Sequence, residues 1–267
     1  MKAQVALATP VRDIATIFPA TFAGTRLWTS ALLSHEEQQA LQGVLGPVRT
    51  VDPNIDLVRE GECAAELFII IKGWASRYST IKGGGRQLSA LLLPGDMGNL
   101  DSLLFDRLDY GVRTLTQAEI VTLPSDRGLA LGEQHPGIAR TFTWLALIEN
   151  MILTRWAQSL GHRSAKLRLA HLLCELSVRL GGGDEGESRF QLPVTQEQLA
   201  DVLGLTSVHL NRVLQELRAE QLVATRHRTM ILPDVPRLRQ SCGFDARYLH
   251  MDPPYTGLTA TAERIER

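Results

Sequence analysis

The chain has 267 residues, 44% of them apolar and 21% charged, with a formal net charge of −1. That is ordinary for a globular protein and long enough for about two domains, each with its own core. No stretch approaches the roughly 18 uninterrupted apolar residues of a membrane helix, and Arg12 and Asp13 break the N-terminal apolar run that a signal peptide needs. Residues 1–136 carry 12 Lys+Arg against 15 Asp+Glu, whereas residues 137–240 carry 13 against 10. The mildly basic C-terminal part gives weak support to nucleic-acid binding. Cys63, Cys174 and Cys242 are far apart and form neither a CxxC pair nor an even framework. They predict a reducing cytoplasm, with no disulfide scaffold and no metal site.

Residues 1–30 show no clear pattern and are taken as an N-terminal extension. Ser34 predicts the cap of a helix, HEEQQALQGVLG, that stops at Gly46-Pro47. From residue 48 to residue 124 the pattern changes to short runs: VRTV, IDLV, ELFIII, ASRYST, RQLSALLL, GVRTLT and EIVTL. Turn residues separate them at Asp52-Pro53-Asn54, Glu60-Gly61-Glu62, Gly73, Gly83-Gly84-Gly85 and Pro94-Gly95-Asp96. Short strands at this spacing predict an antiparallel β-roll over residues 31–135. Gly83-Gly84-Gly85-Arg86 fits a hairpin turn better than a phosphate loop. Ser125 opens a helical region that Pro136 interrupts.

Residues 136–160 form one long helical pattern, with a stripe of Ile138, Phe142, Leu145, Ile148 or Glu149, Ile152, Trp156 and Ser159 or Leu160. Such a stripe is either buried in its own chain or zipped to a second copy. Here it favours a parallel homodimer with Phe142, Leu145, Ile148, Ile152 and Trp156 at the interface. A helix over residues 164–180 ends at Gly181-Gly182-Gly183, and a short strand follows at Phe190-Gln191-Leu192.

The most informative stretch lies at residues 192–232. Thr195 and Gln198 make a capping-box pair ahead of Leu199, Val202 and Leu203. Gly204 supplies a turn residue that tolerates positive φ. Thr206 or Ser207 then caps a second helix, with Val208, Val213, Leu214 and Leu217 as its inward candidates. Ser207, His209, Asn211, Arg212, Gln215 and Arg218 offer donors on the remaining face. The runs VAT and TMIL flank Arg226-His227-Arg228, a hairpin with a basic tip placed to touch phosphates. An ordinary helical hairpin would share the two helices. The capping box, the glycine and the basic hairpin together favour a winged helix-turn-helix over residues 161–240. In the tail, residues 241–267, Phe244, Tyr248 and Leu249 are expected to pack with Leu238 on this unit, and the last dozen residues to be disordered.

This order of parts resembles the Crp/Fnr family of bacterial transcription regulators, through IIIKGWASRYS, LLLPGDMGNL and above all VTQEQLADVLGLTSVHLNRVLQELR. The resemblance implies an α+β chain: a cyclic-nucleotide-binding-like jelly roll as sensor, a long dimerisation helix, and a C-terminal winged helix-turn-helix. It further implies double-stranded DNA contacted through residues 206–219, a homodimer on a pseudo-palindromic site, and RNA polymerase as a partner. Two departures bear on the effector. The family's ribose-binding glutamate falls at Asn99, and its phosphate-binding Arg-Ser pair falls at Leu108-Asp109, where a carboxylate repels phosphate. A shifted alignment would bring Arg107 or Arg113 onto the phosphate. The pocket candidates are therefore Gly98, Asn99, Leu100, Leu108, Asp109 and Arg113, and the expectation is no cAMP but an unknown effector or none. Three cysteines, with none before Cys63, cannot build a four-cysteine iron–sulfur site. Haem stays open, with Cys63, Met97 or helix residues as ligands, since no histidine lies between His35 and His135.

The base-reading glutamate and arginine of the family correspond here to Val208 and Ser207. Arg212 keeps the later arginine, able to take a guanine edge or a phosphate, and His209 and Asn211 are added readers. Arg212 could instead pair with Glu216 along the helix. A cupin-type metalloenzyme would need several histidines in the roll, which are missing, and no nucleophile elbow or phosphate-cradling loop occurs. A cAMP-dependent regulator and an interaction module that has lost DNA binding remain alternatives, although Arg212, Arg226 and Arg228 count against the second. The sequence thus predicts a DNA-binding regulator and no enzyme.

Overall fold

In a computed structural model, residues 32–82 and 85–251 are described; the expected N-terminal extension, Gly83, Gly84 and the final residues, 252–267, lie outside that range. Helix α1 (His35–Val44) begins with a capping box. The Glu37 carboxylate also accepts the Gly137 N–H at 2.6 Å, which ties α1 to the start of the long helix. Seven strands follow: β1 (Arg49–Val51), β2 (Asp56–Val58), β3 (Glu66–Lys72), β4 (Ala75–Thr80), β5 (Arg86–Leu92), β6 (Gly111–Thr114) and β7 (Ala118–Pro124). They pair antiparallel in two sheets, ordered β1-β7-β3 and β2-β6-β4-β5. Ile70, Ala75, Leu92, Val112 and Ile120 fill the space between the sheets. Gly73, between β3 and β4, has φ +79, and a Cβ there would lie 2.2 Å from the Gln117 carbonyl oxygen, so only glycine fits.

Helix α2 (Ser125–Gln134) stops before Pro136, which opens the 27-residue helix α3 (Pro136–His162). The stripe of α3 corrects one expectation. Phe142, Leu145, Ile148 and Ile152 are at most 9% exposed within a single chain. Phe142 and Leu145 pack with Leu41, Leu67 and Leu123, while Ile148 and Ile152 join Trp74, Leu91, Leu172 and Leu176. Trp156 is half-buried and donates its indole N–H to Glu175 at 3.0 Å. Four of the five residues predicted to zip two chains together are instead buried inside one chain. Phe142 and Leu145 lie against the roll and Ile148 and Ile152 where the roll meets the C-terminal half, while Trp156 is half-buried and turns to Glu175. A heptad-like repeat reports that a partner surface exists, and its periodicity is the same whichever chain supplies that surface.

The C-terminal half begins with α4 (Ala165–Arg179), capped by Ser164. It continues through β8 (Ser188–Gln191), α5 (Gln196–Val202), α6 (Ser207–Ala219), β9 (Ala224–Arg226) and β10 (Thr229–Leu232) to α7 (Val235–Cys242). Strand β8 starts ahead of its predicted position because it forms a third strand on β10, with Ser188 opposite Leu232, in a sheet ordered β8-β10-β9. Leu238, Phe244, Tyr248 and Leu249 are buried against this half, as expected. Cys174 and Cys242, 68 positions apart in the sequence, meet between α4 and α7, both buried. Among the described residues, no helix is long and apolar enough to cross a membrane.

Replacing Leu145 with Ala should cost about 2–5 kcal/mol of stability in urea unfolding, as for a buried leucine. Charged residues at both 145 and 152 should therefore unfold the chain. A folded monomer with an unaltered circular-dichroism spectrum would return the stripe to a dimer interface.

Candidate nucleic-acid interface

The capping box at the start of α5 forms as the sequence requires: Thr195 Oγ1 accepts the Gln198 N–H at 3.1 Å, and Gln198 Oε1 accepts the Thr195 N–H at 2.8 Å. Gly204, with φ +61, turns the chain, and the Leu205 N–H closes back on the Ala200 carbonyl at 2.8 Å. Thr206, not Ser207, is the cap of α6, its hydroxyl accepting the His209 N–H at 3.2 Å. Leu210, Val213, Leu214 and Leu217 anchor α6 in the core. Val208, an inward candidate by sequence, is 81% exposed; Leu210 takes the inward place, and Val208 stands on the outer face. Asn211, Arg212 and Gln215 are exposed with it, and Ser207 and His209 are half-buried.

Arg212 reaches His209 Nε2 at 3.2 Å and Glu216 at 3.8 Å. The Glu216 pair is loose and its guanidinium side is 71% exposed, so it contributes little and leaves Arg212 able to turn to a base or a phosphate. Arg218 donates to Thr225 Oγ1 at 2.9 Å, which fixes the wing to α6. The β9–β10 wing turns at His227, φ +54, and leaves Arg226, His227 and Arg228 exposed. Helix donors and wing cations thus lie on one surface, the arrangement for a helix in the major groove flanked by phosphate contacts.

The six effector-pocket candidates do not converge. Asn99 is fully buried and works as a backbone clamp: Oδ1 accepts the Phe68 N–H at 2.8 Å and Nδ2 donates to the Glu66 carbonyl at 2.9 Å. Leu108 is packed in the inter-sheet core, and Asp109 is exposed. Arg113 lies on the outer side of its sheet, 3.7 Å from Asp56, in a cleft that also holds Thr206 and Ser207. Only Gly98 and Leu100 adjoin the contact between roll and α3. There Arg77 donates from Nε to the Gly98 carbonyl at 2.7 Å, stacks over Tyr110 at 4.8 Å and pairs with Glu149 of α3. Burial works against charge on both members of this pair. Glu149, Tyr110 and Asp101 together outweigh it on Arg77, whose guanidinium is pushed up, whereas burial lifts the Glu149 carboxyl above its ordinary value against the opposing pull of Arg77.

Two family models match the chain: a cyclic nucleotide-binding domain over residues 48–135 and a Crp-like helix-turn-helix domain over residues 167–241. The chain belongs to the Crp/Fnr family of transcription regulators. It is 26% identical to the transcriptional activator protein FnrL of Cereibacter sphaeroides over 182 residues, 66% of this chain and 73% of that protein. It is 24% identical to the nitrogen fixation regulation protein FixK of Rhizobium meliloti, over 73% of this chain and 87% of that one. In fold it is similar to FixK2 from Bradyrhizobium japonicum, with a TM-score of 0.66 at 21% identity, covering 72% of this chain and 95% of that chain. As a Crp/Fnr regulator it is a DNA-binding transcription factor and not an enzyme.

Sequence reasoning missed Arg77 and Glu149. The signals were an arginine inside the strand run ASRYST and a glutamate interrupting the apolar stripe of the long helix. In this Crp/Fnr chain, Arg212→Ala should weaken binding by about 1–3 kcal/mol and relax preference at one base pair, if the guanidinium reads a base. Arg226→Ala and Arg228→Ala should weaken every sequence alike and each reduce the salt slope by about 1. Anisotropy titrations against operator variants at several salt concentrations measure both effects.

Proposed function

We propose that this regulator works in the cytoplasm as a homodimer on a pseudo-palindromic promoter site, and that it does so without a cyclic nucleotide. The observation carrying this reading is the row of exposed Val208, Asn211 and Arg212 and half-buried Ser207 and His209 on α6, flanked by the exposed Arg226–Arg228 wing. Two-fold symmetry would set two such helices one DNA turn, about 34 Å, apart. The dimer face is the side of α3 turned away from the roll. Ala146, Leu147 and Asn150 are exposed there, with Leu147 53% exposed. Leu104 and Phe105, 75% and 61% exposed, stand across an apolar groove of about 660 Å³ beside that face. Its occupant is the α3 of a second copy, since Crp/Fnr regulators typically bind DNA as dimers. The likeness to activators supports RNA polymerase as a further partner.

The roll's residues do not fit a cyclic phosphate. Leu108 and Asp109 offer it no guanidinium, and Arg77, the cation facing α3, is engaged by Glu149. The sensor therefore answers to another effector or to none.

Anisotropy binding to genomic fragments, including the protein's own promoter, at fixed salt with and without cAMP tests this reading. Tight binding to a pseudo-palindrome without nucleotide is the expected result; binding that appears only with cAMP would overturn the nucleotide-free reading. Ala146→Glu with Leu147→Glu should give folded monomers by sedimentation, with DNA affinity weaker by about tenfold or more through loss of the second half-site. Retention of the dimer would place the interface elsewhere.

A further inference from the structure

The DNA-binding half is seated on one strand of its own sensor. Strand β5 is the outer strand of its sheet, so backbone groups along its free edge have no neighbouring strand to pair with. Two charged side chains from the C-terminal half bond to backbone groups of that strand. Asp201, at the end of α5, accepts the Leu88 N–H at 2.6 Å. Arg179, at the end of α4, donates to the Leu91 carbonyl at 3.1 Å and to Asp96, just past β5, at 2.5 Å. The Arg179 side chain is 4% exposed and is also held by Glu175 at 3.2 Å. Around these contacts Trp74, Leu91 and Leu93 of the roll are continuous with the apolar core of the DNA-binding half.

We propose that Asp201 and Arg179 form a latch that holds the DNA-binding half on strand β5 in its DNA-competent orientation, and that displacement of β5 releases it. The latched arrangement is competent because it leaves Val208, Asn211, Arg212, Arg226 and Arg228 of the reading surface exposed. Thr206 and Ser207 border a cleft of about 490 Å³ with Asn54, Arg86 and Arg113 on its far wall, so the start of the recognition helix is placed beside the sensor without being blocked. Each latch residue makes one bond that ends on a backbone atom of β5, Asp201 on the Leu88 N–H and Arg179 on the Leu91 carbonyl. They register where the strand is, whatever its side chains, and hydrogen bonds weaken steeply with misalignment. The same strand borders a cavity of about 50 Å³ against α3, lined by Leu91, Asp96, Met97, Glu149 and Arg179. Strand β5 therefore stands between the sensor's contact with the long helix and the DNA-binding half, where a small shift is converted into a change of domain orientation.

The test uses the full chain with Asp201→Ala, Asp201→Asn and Asp96→Asn, reading hydrogen exchange at the Leu88 amide, DNA affinity at fixed salt and oligomeric state. In Asp201→Ala the Leu88 amide should exchange about tenfold faster or more, while β3 and β7 keep their protection. DNA binding should weaken about five- to thirtyfold, within the usual range of coupling between sites, with the oligomeric state unchanged. Asp201→Asn keeps an acceptor oxygen and should stay within about twofold of the native affinity. Asp96→Asn keeps the bond to the Leu93 N–H but loses the charge facing Arg179, and should weaken binding in the same direction; it carries the test if Asp201→Ala fails to fold. Unchanged exchange and affinity in Asp201→Ala overturn the latch. Tighter DNA binding overturns it too, since the latched orientation would then be the closed one. An equal loss in Asp201→Asn assigns the effect to charge and removes the hydrogen bond from the argument.

Discussion

The packing of one helical stripe against the β-roll is the constraint on which the rest of this regulator depends. The sheet β1-β7-β3 cannot cover its own outer side, and Ile138, Phe142 and Leu145 of α3 cover it with Leu41 of α1. Farther along, Ile148 and Ile152 carry the same stripe into the core of the C-terminal half, where they meet Leu172 and Leu176. One helix thus joins two cores, and its rigidity transmits the position of the roll to the DNA-binding half. Because Phe142, Leu145, Ile148 and Ile152 of that stripe are buried inside the chain, the exposed side of α3 is the opposite one, with Ala146, Leu147 and Asn150.

Two buried arginines at the junctions of this frame are paired with carboxylates. Arg77 joins the roll to α3 through Glu149. Arg179 joins α4 to the roll through Asp96 and holds Glu175, whose carboxylate also accepts from Trp156 of α3 and from Tyr248 at 2.7 Å. A buried ion without a partner is costly, whereas a paired and hydrogen-bonded one tolerates few alternative geometries. Apolar contact alone would let the roll, the long helix and the C-terminal half slide on one another. These directional pairs select one arrangement, and they lie on the route between the sensor and the recognition helix.

At the DNA face the logic reverses. Asn211, Arg212, Arg226 and Arg228 have few or loose partners within the chain, and Val208 is left in solvent. Donors that are unsatisfied by their own fold are available to base edges and phosphates. The supports of α6, from the Thr195 capping box to Gly204, are those of any helix-turn-helix.

Local chemistry was legible in the sequence because it acts over a few residues. The cap at Ser34, the capping box at Thr195 and Gln198, the turn at Gly204, the break at Pro136 and the basic wing all follow from neighbours within about four positions, where backbone geometry is decided. Alternating runs with turn residues between them were enough for a roll. Only the tertiary structure decided which surface each pattern would meet. The heptad-like stripe is the same string whether it meets a second chain or its own roll. Asn99 has the composition of a ligand group and became a clamp on Phe68 and Glu66. Val208 turned outward because Leu210 fills the core position. Arg77 with Glu149, Arg179 with Asp96, and Cys174 with Cys242 are 72, 83 and 68 positions apart. No local pattern encodes such pairs, because they exist only once two separate elements have been packed together.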